Sequence, residues 1–292
     1  MSKIRNMLVL DYVIKRLFPH TTSSIKLVRD AAGLKSKFAA LIFVLSKNVY
    51  RLLSRLKIIK TWEIVPSLLP SDIIVKNEDG VFYCRRGTED IYIIDPEFEK
   101  PLRSYFDLKK GVFLDVGAHI GKYTIMVGRK LIEGKIIAIE PEPGNFEILR
   151  KNVSLNRLNN VTALNIAASD KDDMITFYKI KGPHTGWHST IKPRWDYEEI
   201  KVEARRLSSV LQSLGVKQID LLKIDVEGAE RLVLEGLGTK LYDVKKIIYE
   251  ATHSTGCEQL LTTYGFKIPK TFVFDGSVYK LAIRGNQVNG EN

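Results

Sequence analysis

Short apolar runs alternate with amphipathic segments between residue 111 and the end of the chain. Runs that are almost wholly apolar are typical of strands buried on both faces of a parallel sheet, and the chain contains five: "VFLDV", "KIIAIE", "VTALNIAA", "IDLLKID" and "VKKIIYEA". Apolar residues at helical spacing predict helices between them, over 122–132, 143–157, 207–214, 227–236 and 256–264. The runs "TFVFD" and "VYKLAI" follow as a predicted antiparallel pair. This alternation predicts an α/β fold, with a mostly parallel sheet and helices on both of its faces.

The pattern is less regular between the third and the fourth of these runs. The polar stretch after "VTALNIAA" is expected to be rich in loops, and "VEARRL" is expected to be a short strand. Within this stretch, residues 181–197 combine turn-forming residues with Trp187 and Trp195. Such rings suit stacking on a sugar or another ring, so the segment is a candidate cover for a ligand, with an ordered surface flap as the alternative.

The first 110 residues show a different pattern. "DIIVKNEDGVFYCRRG" predicts a β-hairpin that turns at Asp79-Gly80, "DIYIID" predicts a further strand, and a short helix is expected around Glu97–Phe106. Amphipathic helices are predicted over 4–18 and 37–59. The expected organisation is a basic helical segment, a hairpin and helix lead-in, a core domain and a polar tail, over 1–62, 63–110, 111–285 and 286–292.

The basic charge of the chain is confined to its beginning. Residues 1–60 contain 13 Lys and Arg but only two Asp, whereas the remaining basic and acidic residues balance. A neutral body argues against a nucleic-acid partner, and we expect none. The basic amphipathic helix over 37–59 favours either an anionic membrane surface or packing within its own domain or against a second copy of the chain.

Cysteine usage and hydropathy bear on the compartment. Cys84 and Cys257 lie far apart, form no CxxC motif and have no His at metal spacing. The longest apolar run, Phe38–Leu45, is too short to span a bilayer, and no signal peptide is visible. We therefore expect a cytoplasmic protein, peripheral at the membrane if the basic helix binds one, with a single disulfide as an open alternative.

Polar residues follow the carboxyl ends of the predicted parallel strands, where open α/β sheets bind their ligands. This rule selects five groups of candidate site residues: Asp115–Gly121, Glu140, Ala168–Asp170, Asp225–Glu227 and Glu250–His253.

The first group joins a strand to a helix through small residues. Gly117 and Gly121 let the backbone approach a ligand at a helix start. The dinucleotide fingerprint needs a third glycine, but His119 and Ile120 occupy that stretch, and no Gly-Lys-Ser/Thr follows as in a P-loop. Taken alone, the segment fits either a ligand cradle or a tight strand-to-helix turn.

Glu140 favours the ligand cradle over a simple strand-to-helix turn. It ends the second strand, nineteen residues after Gly121, where an acid is placed to accept the ribose hydroxyls of a nucleoside. A solvated carboxylate at the strand end is the alternative. Together with the glycines, the acid favours a nucleoside contact.

The strand "IDLLKID" carries two charges on one face. Lys223 and Asp225 are two residues apart and share a face, although a strand buried on both sides is expected to be apolar. A Lys in a central strand is costly unless it is paired. The two residues form a structural pair, a site that meets a ligand's charge, or both.

Four strings together resemble the FkbM family of S-adenosylmethionine-dependent methyltransferases: "FLDVGAHIGKYT", "AIEPEPGNFEILRKNV", "NIAASD" and "IDLLKIDVEGAERLVLEGL". The resemblance covers about 110 to 255, more weakly 72–110, and leaves 1–65 uncovered; "KIDVEGAE" is its most specific part. It implies a Rossmann-like fold with a seven-stranded sheet whose last strand is antiparallel. It also implies S-adenosylmethionine as the cofactor and, usually, a hydroxyl group as the methyl acceptor.

The resemblance also implies residue roles. Glu140 would bind the ribose, and the loop would hold the methionine part and its amine through Asp115, Gly117, Ala118, His119 and Gly121. The adenine would be bordered by Ala168, Ser169 and Asp170. The chain departs from the family at two places: His119 stands where Asn is common, and Arg205–Leu207 reads "RRL" where Thr-Leu-Asp is common.

Methyl transfer to oxygen also needs a group that takes the hydroxyl proton, which accelerates such reactions by roughly 10²–10⁴-fold. His253, Glu227 and Asp225 are the candidate bases, with Lys223 beside them as a fourth catalytic candidate. Carboxylates at 225, 227 and 250 are also Mg²⁺-type ligands. Because they show no fixed ligand spacing, no metal is predicted.

The expected function is therefore O-methylation of a hydroxyl on a sugar, a glycolipid or a small molecule. A nucleotide-dependent oxidoreductase is disfavoured by the incomplete glycine fingerprint. A non-catalytic binding protein on a methyltransferase fold is the second alternative. Nucleic-acid methylation is disfavoured by the neutral body and by the lack of an Asn-Pro-Pro-aromatic string.

Overall fold

The computed structural model of the chain describes residues 28–55, 69, 71–274 and 276–285. The helix predicted over 4–18, the last part of the helix predicted over 37–59 and the polar tail at 286–292 lie outside these residues. The described chain falls into two compact units, Met1–Phe98 and Glu99–Asn292.

The first unit combines a helix with a β-hairpin. Helix α1 spans Gly33–Arg55, and the hairpin pairs strand β1, Ile73–Lys76, with strand β2, Val81–Cys84. The predicted hairpin is thereby confirmed. The side chain of Asn77 closes its turn by accepting the backbone N–H groups of Asp79 (2.9 Å) and Gly80 (3.1 Å).

The strand predicted for "DIYIID" is wrong, because Asp90–Ile93 forms a short helix, α2. Its buried Asp90 carboxylate accepts hydrogen bonds from the backbone N–H of Arg85 (2.9 Å) and from the Arg85 guanidinium (2.8 Å and 2.9 Å). These contacts within five residues favour a turn over the extended form that the apolar run suggests.

One face of helix α1, made mostly of small residues, is buried within the first unit. Ser36, Ala39, Ala40 and Phe43 are buried. The larger apolar residues of the predicted stripe are exposed, with Phe38 62%, Leu41 43%, Leu45 56% and Val49 56% accessible. The helix therefore presents an apolar face that nothing in the described residues of the chain buries.

The second unit contains ten strands and five α-helices in its described residues. The strands are β3 (Lys110–Val116), β4 (Glu133–Ile139), β5 (Val161–Leu164), β6 (Ala167–Ser169), β7 (Asp173–Ile180), β8 (Tyr197–Arg206), β9 (Leu221–Ile224), β10 (Lys246–Glu250), β11 (Phe266–Phe274) and β12 (Ser277–Arg284). The helices are α3 (Lys122–Gly128), α4 (Pro143–Leu155), α5 (Leu207–Ser213), α6 (Glu230–Leu237) and α7 (Cys257–Thr263). Two 3-10 helices, Lys100–Phe106 and Gly238–Asp243, complete the unit.

Seven strands form one sheet in the order β11-β12-β10-β9-β3-β4-β5. The pairs β3–β4, β4–β5, β3–β9 and β9–β10 are parallel, and β12 is antiparallel to both of its neighbours. The predicted Rossmann-like fold is thus confirmed, including the antiparallel last strand. Apolar clusters pack on both faces of the sheet, around Leu222 and Leu234 on one face and Phe113 and Ile248 on the other.

The region after β4 differs from the prediction. "VTALNIAA" is two strands, and the second, β6, pairs with β8 in a separate three-stranded sheet of order β6-β8-β7. The stretch expected to be loops contains the eight-residue strand β7, and the short strand expected at "VEARRL" is the end of the ten-residue β8. The small sheet also packs on α6, where a Cβ on Gly236 would lie 1.9 Å from the carbonyl oxygen of Ser169.

Candidate functional site

The segment Gly117–Gly121, called here the glycine loop, is held between the ends of two parallel strands. The backbone N–H groups of Gly117 and Ala118 donate to the carbonyl oxygen of Ile139 at the end of β4, at 3.0 Å and 2.9 Å. Gly117 has a φ of +75°, and a Cβ there would lie 1.8 Å from the Asp225 carbonyl oxygen. Only glycine fits this combination of conformation and close approach.

Glu140 faces the glycine loop from the end of β4. Its carboxylate is buried and accepts the backbone N–H of His119 on Oε2 (2.8 Å) and that of Glu142 on Oε1 (3.0 Å). Burial raises the pKa of Glu140 to about 7, against the lowering effect of these hydrogen bonds. The sequence correctly placed this acid beside the loop. It did not single out Asn165, whose side chain donates to the Glu140 carbonyl oxygen (2.8 Å).

Lys223 lies buried between the glycine loop and two carboxylates. Its ammonium donates to the carbonyl oxygen of Gly117 at 2.8 Å and lies 3.3 Å from Asp225 Oδ2 and 3.7 Å from Asp115 Oδ1. Burial alone would lower the pKa of Lys223, but the charges of Asp225 and Asp115 outweigh it and raise the pKa. A protonated lysine with these partners holds the site together; as a base it is unsuited.

Asp115 lies behind the loop and is fully buried. Its Oδ2 accepts the hydroxyl of Thr124 at 2.6 Å, while Oδ1 accepts no hydrogen bond from any described donor. Burial raises the pKa of Asp115, and the Lys223 charge opposes that rise. Asp115 therefore anchors the start of α3 and the Lys223 side chain.

Glu99 belongs to the same buried network, although nothing in the sequence pattern singled it out. Its Oε2 accepts hydrogen bonds from the Lys122 ammonium group (2.9 Å) and from the Tyr123 hydroxyl group (2.8 Å). The Tyr279 hydroxyl lies between Glu99 Oε1 (2.8 Å) and Asp225 Oδ2 (3.1 Å). Burial would raise the pKa of Glu99, but the Lys122 charge and these hydrogen bonds lower it.

Three carboxylates meet beyond the ends of β9 and β10. One ligand atom each from Asp225, Glu227 and Glu250 lies within 4.8 Å of the others. Glu227 has a left-handed backbone, with a φ of +54°, which is uncommon for a residue other than glycine. Burial, and then the Asp225 charge, raise the pKa of Glu250 to about 8. The sequence rule of strand ends found all three residues, and the structure brings them together.

Glu230, the first residue of α6, stabilises the turn that carries two of these carboxylates. It is 1% exposed, and its Oε1 accepts the backbone N–H groups of Val226 (3.1 Å) and Gly228 (3.2 Å). Burial raises the pKa of Glu230 to about 7. Its role is to fix the turn that carries Asp225 and Glu227.

His253 lies at the rim of the same group. It is exposed, and its Cβ lies 3.6 Å from the position that a Cβ on Gly228 would take. The Cβ of His253 therefore lies next to the turn that follows Glu227.

Residues 181–197 contact the edge of the sheet at two places. Thr185 Oγ1 lies 2.9 Å from His119 Nε2, and the Thr185 carbonyl oxygen accepts the Asn145 side-chain amide at 2.9 Å. The Ser189 hydroxyl donates to the Glu227 carbonyl oxygen at 2.8 Å. The segment therefore bridges the glycine loop and the carboxylate group, which agrees with the predicted position of a cover.

Two tryptophans are exposed on this bridging segment. Trp187 is 39% exposed and stacks on His184 at 4.2 Å between ring centroids, and Trp195 is 61% exposed at 5.8 Å from Trp187. Exposed and partly supported rings of this kind suit contact with a flat or ring-shaped ligand.

Ala168–Asp170 lie at the end of the first strand of the small sheet. Ala168 and Ser169 belong to β6, Ser169 is buried, and its hydroxyl lies 3.1 Å from Asp170 Oδ1. The proposed contact of these residues with adenine stays a prediction.

Both cysteines, Cys84 and Cys257, are free and buried. Within the described part of the chain, no helix has the length and hydropathy needed to cross a membrane.

Comparison with known proteins gives a family match over just over half of the chain. A profile described as "Methyltransferase FkbM domain" matches residues 115–268. Methyltransferase sdnD of Sordaria araneosa is 31% identical over 195 residues, which cover 54% of this chain and 74% of that protein. The 31-O-demethyl-FK506 methyltransferase FkbM of Streptomyces tacrolimicus is 30% identical over 165 residues, covering 47% of this chain and 63% of that protein.

Among solved structures, similarity extends to a methyltransferase FkbM from Methylobacillus flagellatus KT. The TM-score is 0.44 at 14% identity, over 93% of this chain and 60% of that one.

Proposed function

Because the chain belongs to the FkbM family of S-adenosylmethionine-dependent methyltransferases, we propose that it methylates a hydroxyl oxygen on a sugar, a glycolipid or another ring-bearing small molecule. The observation that carries this proposal is the meeting of Asp225, Glu227 and Glu250 beside the glycine loop, with His253 at their rim. A hydroxyl acceptor needs such groups, because it has to lose a proton as it reacts.

The residues around the glycine loop fit S-adenosylmethionine. Glu140 offers a buried carboxylate that accepts two backbone hydrogen bonds and interacts with the Asn145 side chain. A carboxylate has about four lone-pair sites, so that one is left for a ribose hydroxyl. The close approach of Gly117 to the Asp225 carbonyl oxygen holds the glycine loop against the residue that follows β9.

When bound, S-adenosylmethionine supplies a methyl carbon bonded to a positive sulfur, and that carbon–sulfur bond breaks with its electron pair as the carbon–oxygen bond forms. The chain's own residues have to orient the hydroxyl and remove its proton. We assign proton removal to His253, which is exposed, or to Glu227, which is half-buried, because the third candidate, Asp225, is paired with Lys223. Lys223 keeps the glycine loop and Asp225 in a fixed relation, which is a positioning role.

The bridging segment supports an acceptor that contains a ring. Trp187 and Trp195 lie exposed on it, and the segment also contacts Glu227 through Ser189. A sugar that stacks on these rings would lie on the segment that contacts the backbone of Glu227. The name of the Streptomyces relative refers to methylation on an oxygen of its own substrate, which is in keeping with this proposal.

Transfer of a labelled methyl group tests the function. The protein is incubated with methyl-tritiated S-adenosylmethionine and separate carbohydrate, lipid and small-molecule fractions, and each product is treated with dilute alkali. A methyl ether on a hydroxyl oxygen survives this treatment, whereas a methyl ester is hydrolysed. Alkali-labile label, or label found only on nitrogen, contradicts methylation of a hydroxyl oxygen. Tight cofactor binding without any transfer supports the alternative of a non-catalytic binding protein.

A further inference from the structure

The carboxylate group beyond β9 and β10 carries an inference that rests on the proposed function and goes beyond it. We propose that Asp225, Glu227 and Glu250 bind a divalent cation of the Mg²⁺ class, which in turn binds the acceptor hydroxyl. No spacing in the sequence indicated this site, because Glu250 lies on a different strand from the other two residues.

The distances fit one ion. The three ligand atoms lie within 4.8 Å of one another. Oxygen ligands on opposite sides of an ion are separated by twice the metal–oxygen distance, roughly 4.0–4.2 Å for Mg²⁺ and 4.6–5.2 Å for Ca²⁺. A separation of up to 4.8 Å lies in the Ca²⁺ range and exceeds the Mg²⁺ range by roughly 0.6 Å, so that the side chains would have to move together by about that much to share Mg²⁺. Oxygen ligands without sulfur or imidazole select hard cations.

Glu250 provides a second, independent observation. The residue is 5% exposed, and its Oε1 accepts the Thr252 hydroxyl at 2.8 Å. Its Oε2 is buried and accepts no hydrogen bond from a described donor group, and the side chain faces the Asp225 carboxyl. No Lys or Arg in the described residues forms an ion pair with Glu250. A buried carboxylate oxygen without a donor is costly unless a ligand satisfies it.

The surrounding charges leave this cost uncompensated. Lys223 is shared between Gly117, Asp115 and Asp225, and Lys122 is held by Glu99. Two buried ammonium groups therefore face five acidic side chains with little or no exposure: Glu99, Asp115, Asp225, Glu230 and Glu250. A divalent cation at the last of these would reduce the excess of acidic over basic groups and would give Glu250 Oε2 a partner.

The cation also determines which of the two candidate bases, Glu227 or His253, takes the hydroxyl proton. As a metal ligand, Glu227 is no longer available to take a proton, so His253 at the rim takes the hydroxyl proton onto a ring nitrogen. The cation lowers the pKa of the hydroxyl that it binds, as metal ions do for bound water. The resulting alkoxide oxygen attacks the methyl carbon, the carbon–sulfur bond breaks, and the electron pair goes to sulfur.

Titration with Mn²⁺ tests the site without any need for activity. The intact protein is titrated with Mn²⁺ alone, and free Mn²⁺ is followed by electron paramagnetic resonance. We expect one Mn²⁺ per chain, displaced by Mg²⁺, and affinity that is weaker by more than about tenfold in Asp225→Asn, Glu227→Gln and Glu250→Gln, since even outer partners of metal ligands change affinity 10–100-fold. Glu235→Gln, an exposed change on α6, is the matched control.

A wild-type protein that leaves the free Mn²⁺ signal unchanged up to millimolar concentrations overturns the proposal, and the Asp225–Glu250 pair then shares a proton instead. Equal weakening by Glu235→Gln overturns it as well. Calorimetric binding of S-adenosylmethionine in the presence of a chelator separates this result from the proposed function. Loss of Mn²⁺ binding with retained cofactor binding refutes only the metal site.

Discussion

Lys223 donates its ammonium proton to the carbonyl oxygen of Gly117 at 2.8 Å, across 106 positions of the chain. The contact joins the end of β9 to the glycine loop. Because the same ammonium also faces Asp225 and Asp115, one buried charge sets the relation between the glycine loop and the carboxylate group.

Lys223→Met is therefore expected to lower the free energy of unfolding by about 3–5 kcal/mol, because it leaves buried carboxylates without their partner. The measurement is urea denaturation. Lys240→Met removes a partly exposed pair with Asp243 and is expected to cost no more than about 1 kcal/mol. Similar losses of unfolding free energy in both variants would show that the buried Lys223 network stabilises the protein no more than a partly exposed ion pair does.

Cofactor affinity is expected to fall as the pH falls through 7. Burial raises the pKa of Glu140 to about 7 in the ligand-free protein, and the carboxylate is the form that accepts ribose hydroxyl groups. Above pH 7 the charged form is present and binding is strongest; below pH 7 each binding event first requires loss of a proton. Calorimetric titration of S-adenosylmethionine at pH 8 and pH 6 measures the difference.

Glu140→Gln is the control for this pH dependence. The amide does not titrate, so its weaker binding is expected to be the same at both pH values, whereas exposed Glu147→Gln keeps the wild-type profile. Affinity of the wild type that does not change between pH 8 and pH 6 would rule out Glu140 as the ribose contact.

His253→Ala is expected to slow methyl transfer by roughly 10²–10⁴-fold if its ring takes the hydroxyl proton. Because the side chain is exposed, stability and cofactor affinity are expected to stay at wild-type values. Single-turnover transfer, with the cofactor dissociation constant measured separately, checks both statements. A variant that transfers methyl at full rate places the base elsewhere.

The exposed face of α1 is expected to bind anionic lipid. Leu34, Phe38 and Leu45 are exposed beside exposed Lys35 and Lys37, and residues 1–60 carry the whole excess of positive charge. Such a face binds the headgroup region of a negatively charged bilayer. The intact protein should float with vesicles that contain phosphatidylserine and stay behind with phosphatidylcholine alone.

The double variant Phe38→Asp, Leu45→Asp tests this surface, and its flotation is expected to be lost. Sedimentation of the same variant tests the alternative that a second copy of the chain covers this face. If the wild type is a dimer that the variant converts to a monomer, and neither binds vesicles, the face pairs with a second copy of the chain.

Much of the core domain was predictable because its signals are local. The runs "VFLDV" and "KIIAIE" are apolar enough to require burial on both faces, and the polar residues that follow them, Asp115 and Glu140, had to lie at the ligand-binding edge. The small sheet was missed, since the burial of β7 depends on its pairing with β8 and its own sequence is mixed. "DIYIID" was misassigned because Arg85 and Asp90 close a turn that apolar content does not reveal.

The sequence by itself determined the alternation of strands and helices, the glycine loop and the acids at the strand ends, because periodicity and glycine conformation act over a few residues. Only the tertiary structure decided which of those groups meet. Glu99 reaches Lys122, Tyr123 and Tyr279, and Glu250 reaches Asp225 and Glu227, through the pairing of distant strands. Whether a buried carboxylate finds a donor there depends on that pairing, which no local pattern encodes.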